Sequence, residues 1–530
     1  MQKTLSIIIK AKQDFIRHTA ADLEANAPVL NSFYESISYI YIPLLRMVEK
    51  LAADNVKFRF GLVLPPVLCN MLSDESLQND YIRWLEERND FGKAELRRNK
   101  GDEKVCAIIK ASIEENNSLK ADFTEKYGKC LIPVFAQYME KGYIEFLGTC
   151  GTDIFMPHFA DMKEIICAQI ESGLHAYRQY FGLVPEGFWL PEMGYAPGIE
   201  KLIRAYGYTY TILDSRSVLL AQNLPDVGIF YPVRTENSLV IFARDRTIDA
   251  ELFGENGLIY SSCYRNQNRD AGYELPLEKL PPEMGKVGIR YATGYKYWNR
   301  CFNDSPECRY DAEAAAQKAV EDAKDFVDKR LEKLSKAEEL LPKLDFVSQV
   351  MTLDISKLSK TWFEYPVWLE NVIRTAEKEG LVIDSCGSLC QGQYNLEKIE
   401  PYYSAGIGQG YGENLLSSKN CWMMRYIRKS CERMIDLAGR FPNDTGLKTR
   451  LLNLGAKELM LAQSSNLAKM INRSEFPQFA EKRFKESIAA FTSVFDSLGS
   501  NTVSTEWLTN LEARDSIFPW MNYRIFCKKR

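Results

Sequence analysis

Apolar runs of strand length alternate with longer amphipathic stretches up to about residue 414. Strand-like runs lie at 5–9, 57–64, 143–147, 187–190, 208–213, 239–243 and 346–353. Patterns of helical period separate several of them, notably 42–52, 162–181 and 312–336. Such alternation predicts an α/β domain with a parallel sheet and crossover helices, and seven strands predict a barrel. The charged stretch 71–139 is long for one crossover and reads as a helical insertion, leaving residues 1–70 and 140–414 for the barrel. Residues 255–310, rich in Tyr, Asn, Gly and Cys, read as a rim excursion with little regular structure. From 415 to 530 the periodic runs 420–440, 448–472 and 478–498 carry no strand pattern and predict an all-α domain. Within it, LMLAQSSNLAKMI sets Gln463, Ser464, Ser465 and Asn466 inside an otherwise apolar helix. That cluster either bonds between helices or faces the barrel mouth.

Composition narrows the function classes. A chain of 530 residues exceeds what one hydrophobic core serves, so two or three domains are expected. A net charge of −4 offers no electrostatic footprint for nucleic acid. The 13 cysteines contain no CxxC pair, which suits a reducing compartment better than a disulfide framework. The three histidines, His18, His158 and His175, form no HxH or HExxH pair, so neither a metal nor another cofactor is expected. Met1 leads directly into the first strand without a signal-peptide pattern, and no apolar run reaches membrane length. A cytoplasmic protein with no membrane partner is the expectation, and the oligomeric state is left open.

The most informative stretch is PEGFWLPEMGYAPGIEKLIRAYGYTYTILD, residues 185–214. Phe188, Trp189 and Leu190 read as the buried end of a strand, which Pro191 terminates because it has no N–H to donate. Glu192 is thereby delivered at a strand's C-terminal end among Trp189, Met193 and Tyr195, where βα barrels carry their chemistry. A solvated loop glutamate is the bland reading, but the aromatic company favours a sugar or another flat-faced ligand.

Taken in order, YIPLLRMVEKLAADNVKFRFGL, GFWLPEMGYAPGIE, FARD, RDAGYELP, WFEYPVWLENVIR, LAQSSNLAKMI and WLTNLEARDSIFPWMNYRIF resemble glycoside hydrolase family 57. The likeness is to its α-1,4-glucan branching enzymes and runs from about residue 5 to 526. It implies an incomplete (β/α)7 TIM-like barrel with a helical insertion and a C-terminal helical domain, acting on an α-glucan or other oligosaccharide. It also implies retaining chemistry, in which one carboxylate attacks while a second protonates the leaving oxygen. The resemblance puts the nucleophile on Glu192. For the acid/base, IDAELFG at 248–254 copies the start of the family's motif and offers Asp249, but Asp354 in MTLDISKLSKTWFE follows the predicted seventh strand and is preferred.

Substrate contacts implied by the resemblance fall on Trp189, Arg244 and Trp362, and on Asn466, where the family's Ser-Ser-Asp-Trp reads Ser464-Ser465-Asn466-Leu467. Other positions depart from the family. Lys10 and Lys12 stand where it carries histidines at the end of the first strand, Asp153 and Lys360 replace two more, and Thr361 and Ile407 replace tryptophans. Residues two apart share a strand face, so both Lys10 and Lys12 can point into the barrel. Beside Asp354 they would depress its pKa, against the needs of a general acid; paired with Glu192 or Asp153 they would close the pocket. Three readings follow: a branching enzyme or 4-α-glucanotransferase, an enzyme shifted to an anionic glycan, and a non-catalytic glucan-binding homologue.

Overall fold

The computed structural model describes residues 1–16, 20–282, 284, 288–300, 308–355, 358, 362–391, 395–500 and 502–528. Its apolar runs assemble into one sheet: β1 (Gln2–Lys10), β2 (Phe60–Val63), β3 (Ile144–Gly148), β4 (Gly187–Phe188), β5 (Tyr210–Asp214), β6 (Val233–Arg234), β7 (Val240–Arg244), β8 (Phe346–Asp354) and β9 (Val382–Ile383). Seven of these close a parallel ring in the order β1–β2–β3–β4–β5–β7–β8, with β1 pairing β2 on one side and β8 on the other. The ring is thinnest between β7 and β8, which share the single register pair Arg244 with Val350. β6 lies antiparallel on β7, and β9 pairs with β1 at Thr4 and Leu5. Neither was apparent as a strand in the sequence, because two residues are too few to establish a period.

β1 is the central strand, buried on both faces from Thr4 to Lys10, as a parallel strand covered by helices must be. It pairs with β8 over its full length, from Gln2 opposite Phe346 to Lys10 opposite Asp354. That register sets a lysine and an aspartate side by side at the C-terminal rim. β5 and β7 end likewise, with Asp214 opposite Arg244.

Between β2 and β3 run the helices Glu75–Arg98, Glu103–Ala121 and Ile132–Glu140. Asp74 and Asp102 start the first two, accepting from the Leu77 and Val105 backbone N–H groups. Phe91, Val105 and Ile109 pack against Ala271, Met284, Tyr295 and Tyr297, so the insertion and the rim excursion share a small core. Fully buried Asp270 organises the excursion by accepting from the N–H groups of Gly272, Thr293 and Gly294.

The C-terminal helices are Trp422–Arg440, Leu447–Ala462, Ser465–Arg473, Pro477–Ser500 and Thr505–Arg514. The continuous helix expected over 448–472 is broken. Leu447–Ala462 ends at Gln463, and Ser464 leaves helical geometry to form an antiparallel bridge with Ile154 of the barrel. The Ser465 N–H donates to the Asp153 carbonyl, so pairing with the barrel outweighs helix continuation here. Trp362 is also corrected. It is fully buried, 4.9 Å from the Trp368 ring and 5.9 Å from Tyr264, and therefore packs the core rather than a sugar.

Helix Lys163–Phe181 crosses the loop after β3 so closely that a Cβ on Gly173 would lie 1.8 Å from the Thr149 carbonyl oxygen. Alanine normally stabilises a helix interior by about 0.5–1 kcal/mol over glycine. Gly173→Ala should instead destabilise the fold by roughly 1–3 kcal/mol, the usual result of overpacking, as read by denaturant unfolding. An unchanged or raised midpoint would contradict this packing.

Candidate active site

Carboxylates and cations gather where the strands end. Lys10 closes β1, Asp214 β5, Arg244 β7 and Asp354 β8, while Glu192 follows β4 by four residues. In the ring β4 lies three strands from β8 one way and four the other, so Glu192 and Asp354 approach from opposite sides of the mouth. Both line one cleft of about 460 Å³ with Lys10, Trp189, Arg244 and Asp249. Helical Arg473 and the 406–414 loop complete its walls.

Glu192 sits on an unusual backbone. It has φ +56°, and Met193 follows at +47°, the left-handed region that side chains other than glycine avoid. Each such residue costs on the order of 1–3 kcal/mol, and the conformation persists only if its surroundings impose it. Here they do. The Trp189 N–H donates to Gly148 at 2.7 Å, Thr149 Oγ1 donates to the Trp189 carbonyl, and Gly406 N–H donates to the Glu192 carbonyl at 2.6 Å. Tyr195 and Ser404 exchange backbone hydrogen bonds one turn further on. The fit at Gly406 is close, since a Cβ there would lie 3.2 Å from the Glu192 carbonyl oxygen and would push aside the Met193 methyl group.

Two ammonium groups meet the Glu192 carboxylate: Lys10 Nζ, 3.4 Å from Oε1, and Lys469 Nζ on the same oxygen. Both lysines are buried. Burial alone would push the Glu192 carboxyl up, but Lys469, Lys10 and Lys12 outweigh it and hold the group well below the usual carboxylate range. The two lysines respond in opposite directions. Burial lowers Lys10, but Glu192, Asp153 and Asp354 together raise it above its ordinary value. Lys469 is driven down to about 8 by burial and by the neighbouring charges of Lys12 and Lys10, with Glu192 and Asp153 only partly compensating.

Arg244 lines the cleft, but its guanidinium is committed: Nη2 donates to Asp214 at 2.5 Å and Nη1 to Asp249 at 2.8 Å. Asp249, on helix Arg246–Phe253, thus enters the cleft as an ion-paired carboxylate. Trp189 forms part of the wall. Buried Asp153 accepts from Asn466 Nδ2 at 2.7 Å, so these two bond barrel to helical domain outside the cleft lining. Half-buried Lys12 acts on Glu192, Asp14 and Lys469 through its charge. Ile407 is buried against Phe155, Ala405 and Leu415. Lys360 and Thr361 lie outside the described residues.

Lys469 was missed by sequence reasoning, although its signal was present. It follows Asn466 by three residues, so both lie on one helix face, and the break at Ser464 turns that face toward the barrel.

A parallel barrel with two carboxylates in one cleft at its C-terminal rim is an arrangement that glycoside chemistry can use. The comparisons agree: residues 6–348 match the model of glycosyl hydrolase family 57, and the chain belongs to that family. Residues 426–526 match the C-terminal domain of 1,4-alpha-glucan branching enzymes. The 1,4-alpha-glucan branching enzyme TK1436 of Thermococcus kodakarensis is 24% identical over 483 residues, 85% of this chain and 67% of that one. Among solved structures, the alpha-amylase AmyC of Thermotoga maritima superposes with a TM-score of 0.90 at 26% identity, covering 100% of both chains. The GH57-type branching enzyme of Pyrococcus horikoshii gives 0.88 at 21% identity, covering 100% of this chain and 98% of that one. The expected (β/α)7 fold class is thereby borne out. No described helix is long and apolar enough to cross a membrane.

The charge cluster has a directional consequence. Glu192 raises the pKa of Lys469, so Glu192→Gln should shift it below about 8, as followed by NMR of isotope-labelled lysine. A Lys469 titration that does not move would mean that the two groups are not paired in solution.

Proposed function

We propose that the chain is a retaining α-glucan transglycosylase of the branching type, with Glu192 as nucleophile and Asp354 as acid/base. One observation carries this reading: Glu192 stands on a strained, clamped turn at the end of β4 and opens into the cleft that Asp354 lines from β8. In the first half-reaction a Glu192 oxygen bonds to the anomeric carbon, while the departing glycosidic oxygen takes the Asp354 proton. In the second, Asp354 receives a proton from the incoming hydroxyl, whose oxygen displaces Glu192 and restores the carboxylate. The branching specificity draws on the named activity of the relatives and on the match over 426–526.

Lysines on the nucleophile alter the balance between these steps. A carboxylate stabilised by Lys10 and Lys469 attacks less readily and departs more readily. The arrangement therefore favours turnover of the intermediate over its formation. Asp249 sits on helix Arg246–Phe253 bound to Arg244, whereas Asp354 ends a barrel strand, and strand-end placement favours Asp354 for the acid role.

A second reading rests on Lys10, Lys12 and Lys469 all acting on one carboxylate. Lys10 and Lys469 are the cations that a glycan carrying an acid group would meet beside Glu192. Rates on neutral, phosphorylated and uronic oligosaccharides separate the two readings: a clear preference for the acidic ones selects the second.

The carboxylate roles are tested by kinetics. Asp354→Asn should lower kcat/KM on an α-glucan by about a hundredfold or more, and far less on a substrate whose leaving group needs no proton. Glu192→Gln should lower both. If Asp249→Asn, rather than Asp354→Asn, shows the leaving-group dependence, the acid/base assignment moves to Asp249.

A further inference from the structure

A second cavity is larger than the cleft at Glu192. A space of about 750 Å³ opens where insertion helix Glu103–Ala121, the rim excursion and the start of helix Tyr365–Glu379 meet. Its volume falls within the roughly 300–1,000 Å³ of ligand sites. One wall is aromatic. The half-buried Phe363 ring meets Tyr39 at 74° and Tyr310 at 81°, and the Arg265 guanidinium is braced 3.3 Å from its centroid. The opposite wall is kept low by Ala107 and Ala111, exposed residues one helical turn apart. Buried Glu364 belongs to the lining, with Oε1 held by the Arg265 N–H at 2.9 Å, and burial pushes its carboxyl above the ordinary range.

Charge in this cavity is balanced. Arg46, Lys104, Arg265 and Arg309 stand against Glu115, Asp311, Glu313 and Glu364. Several are already bridged, with Arg46 bound to Glu115 at 2.7 Å and to Asp122, and Arg309 to Asp102. A balanced set does not select an anion or a cation. It selects a neutral ligand with an apolar face for the rings and hydroxyls around its edge, which is the chemistry of a pyranose. The cavity is also tied to Asp354. Phe363 and Glu364 follow it along the chain, and the Tyr365 hydroxyl binds the Ile40 carbonyl, between Tyr39 of the cavity wall and Tyr41, which feels the Asp354 charge. Asp354 protonates the leaving chain and deprotonates the incoming one, so a chain segment on its side is the leaving or accepting segment.

We propose that this cavity binds a segment of neutral α-glucan and holds the acceptor chain for transfer. The inference rests on the transglycosylase reading given above. Ala111→Trp tests it, because the indole enters the cavity from an exposed position that carries no core packing. Maltoheptaose is titrated calorimetrically into Glu192→Gln enzyme with and without Ala111→Trp, and Ala111→Trp in the otherwise native chain is assayed for the ratio of transfer to hydrolysis. About tenfold weaker binding and a ratio lower by about tenfold are expected, with the thermal midpoint unchanged. Equal affinities, or an unaltered ratio, overturn the cavity assignment while leaving the Glu192 chemistry intact. If Glu192→Gln enzyme binds no maltoheptaose and the native chain turns over no α-glucan, both the assignment and the reading beneath it fall.

Discussion

Glu192 is a charge largely withdrawn from water at the edge of a cleft, and the structure around it meets that cost. Isolated burial of a carboxylate is prohibitive, whereas a buried pair persists only with close partners. The partners here come from two separate parts of the chain: Lys10 from the end of β1 and Lys469 from a helix beyond the barrel. Removing one partner from such a group typically costs about 3–5 kcal/mol, so the triad joins the helical domain to the barrel as well as shaping the cleft. Asp153 with Asn466, Thr152 with the Met460 carbonyl, and Gln169 with Gln463 run alongside it. Apolar side chains of both parts share one core, and the hydrogen bonds across the interface gather about the loop after β3 that also steadies Trp189.

This arrangement explains why the helix breaks at Ser464. An unbroken helix would carry Lys469 past the mouth, whereas the bridge between Ser464 and Ile154 turns the next two helical turns inward. The strained backbone at Glu192 and Met193 belongs to the same construction. Neighbours that over-determine the turn allow a carboxylate to be held off its preferred geometry, with its position set before substrate arrives.

Much of the barrel was legible because its strands are long apolar runs with clear punctuation. β1 and β8 could be read directly, and Pro191 marked where β4 had to stop. Glu192 and Asp354 could be read as carboxylates at strand ends, whereas Lys10 and Arg244 were picked out only by the family resemblance. What escaped was set by tertiary contact. Lys469 lies on a helix face whose orientation depends on a break that periodicity does not reveal. Trp362 has the residue type of a sugar platform, yet its neighbours Trp368 and Tyr264 claim it for the core. The second cavity joins Tyr39, Ala111, Arg265, Tyr310 and Phe363, positions that only folding brings together.

On the proposed mechanism Glu192, despite its two lysines, forms the covalent bond to sugar. A fluorinated α-glucosyl donor that forms the glycosyl-enzyme quickly and releases it slowly, followed by peptide mass spectrometry, tests it most directly. One added glycosyl group per chain is expected, on the peptide carrying Glu192. Labelling of another carboxylate, or none while the donor is consumed, would contradict it.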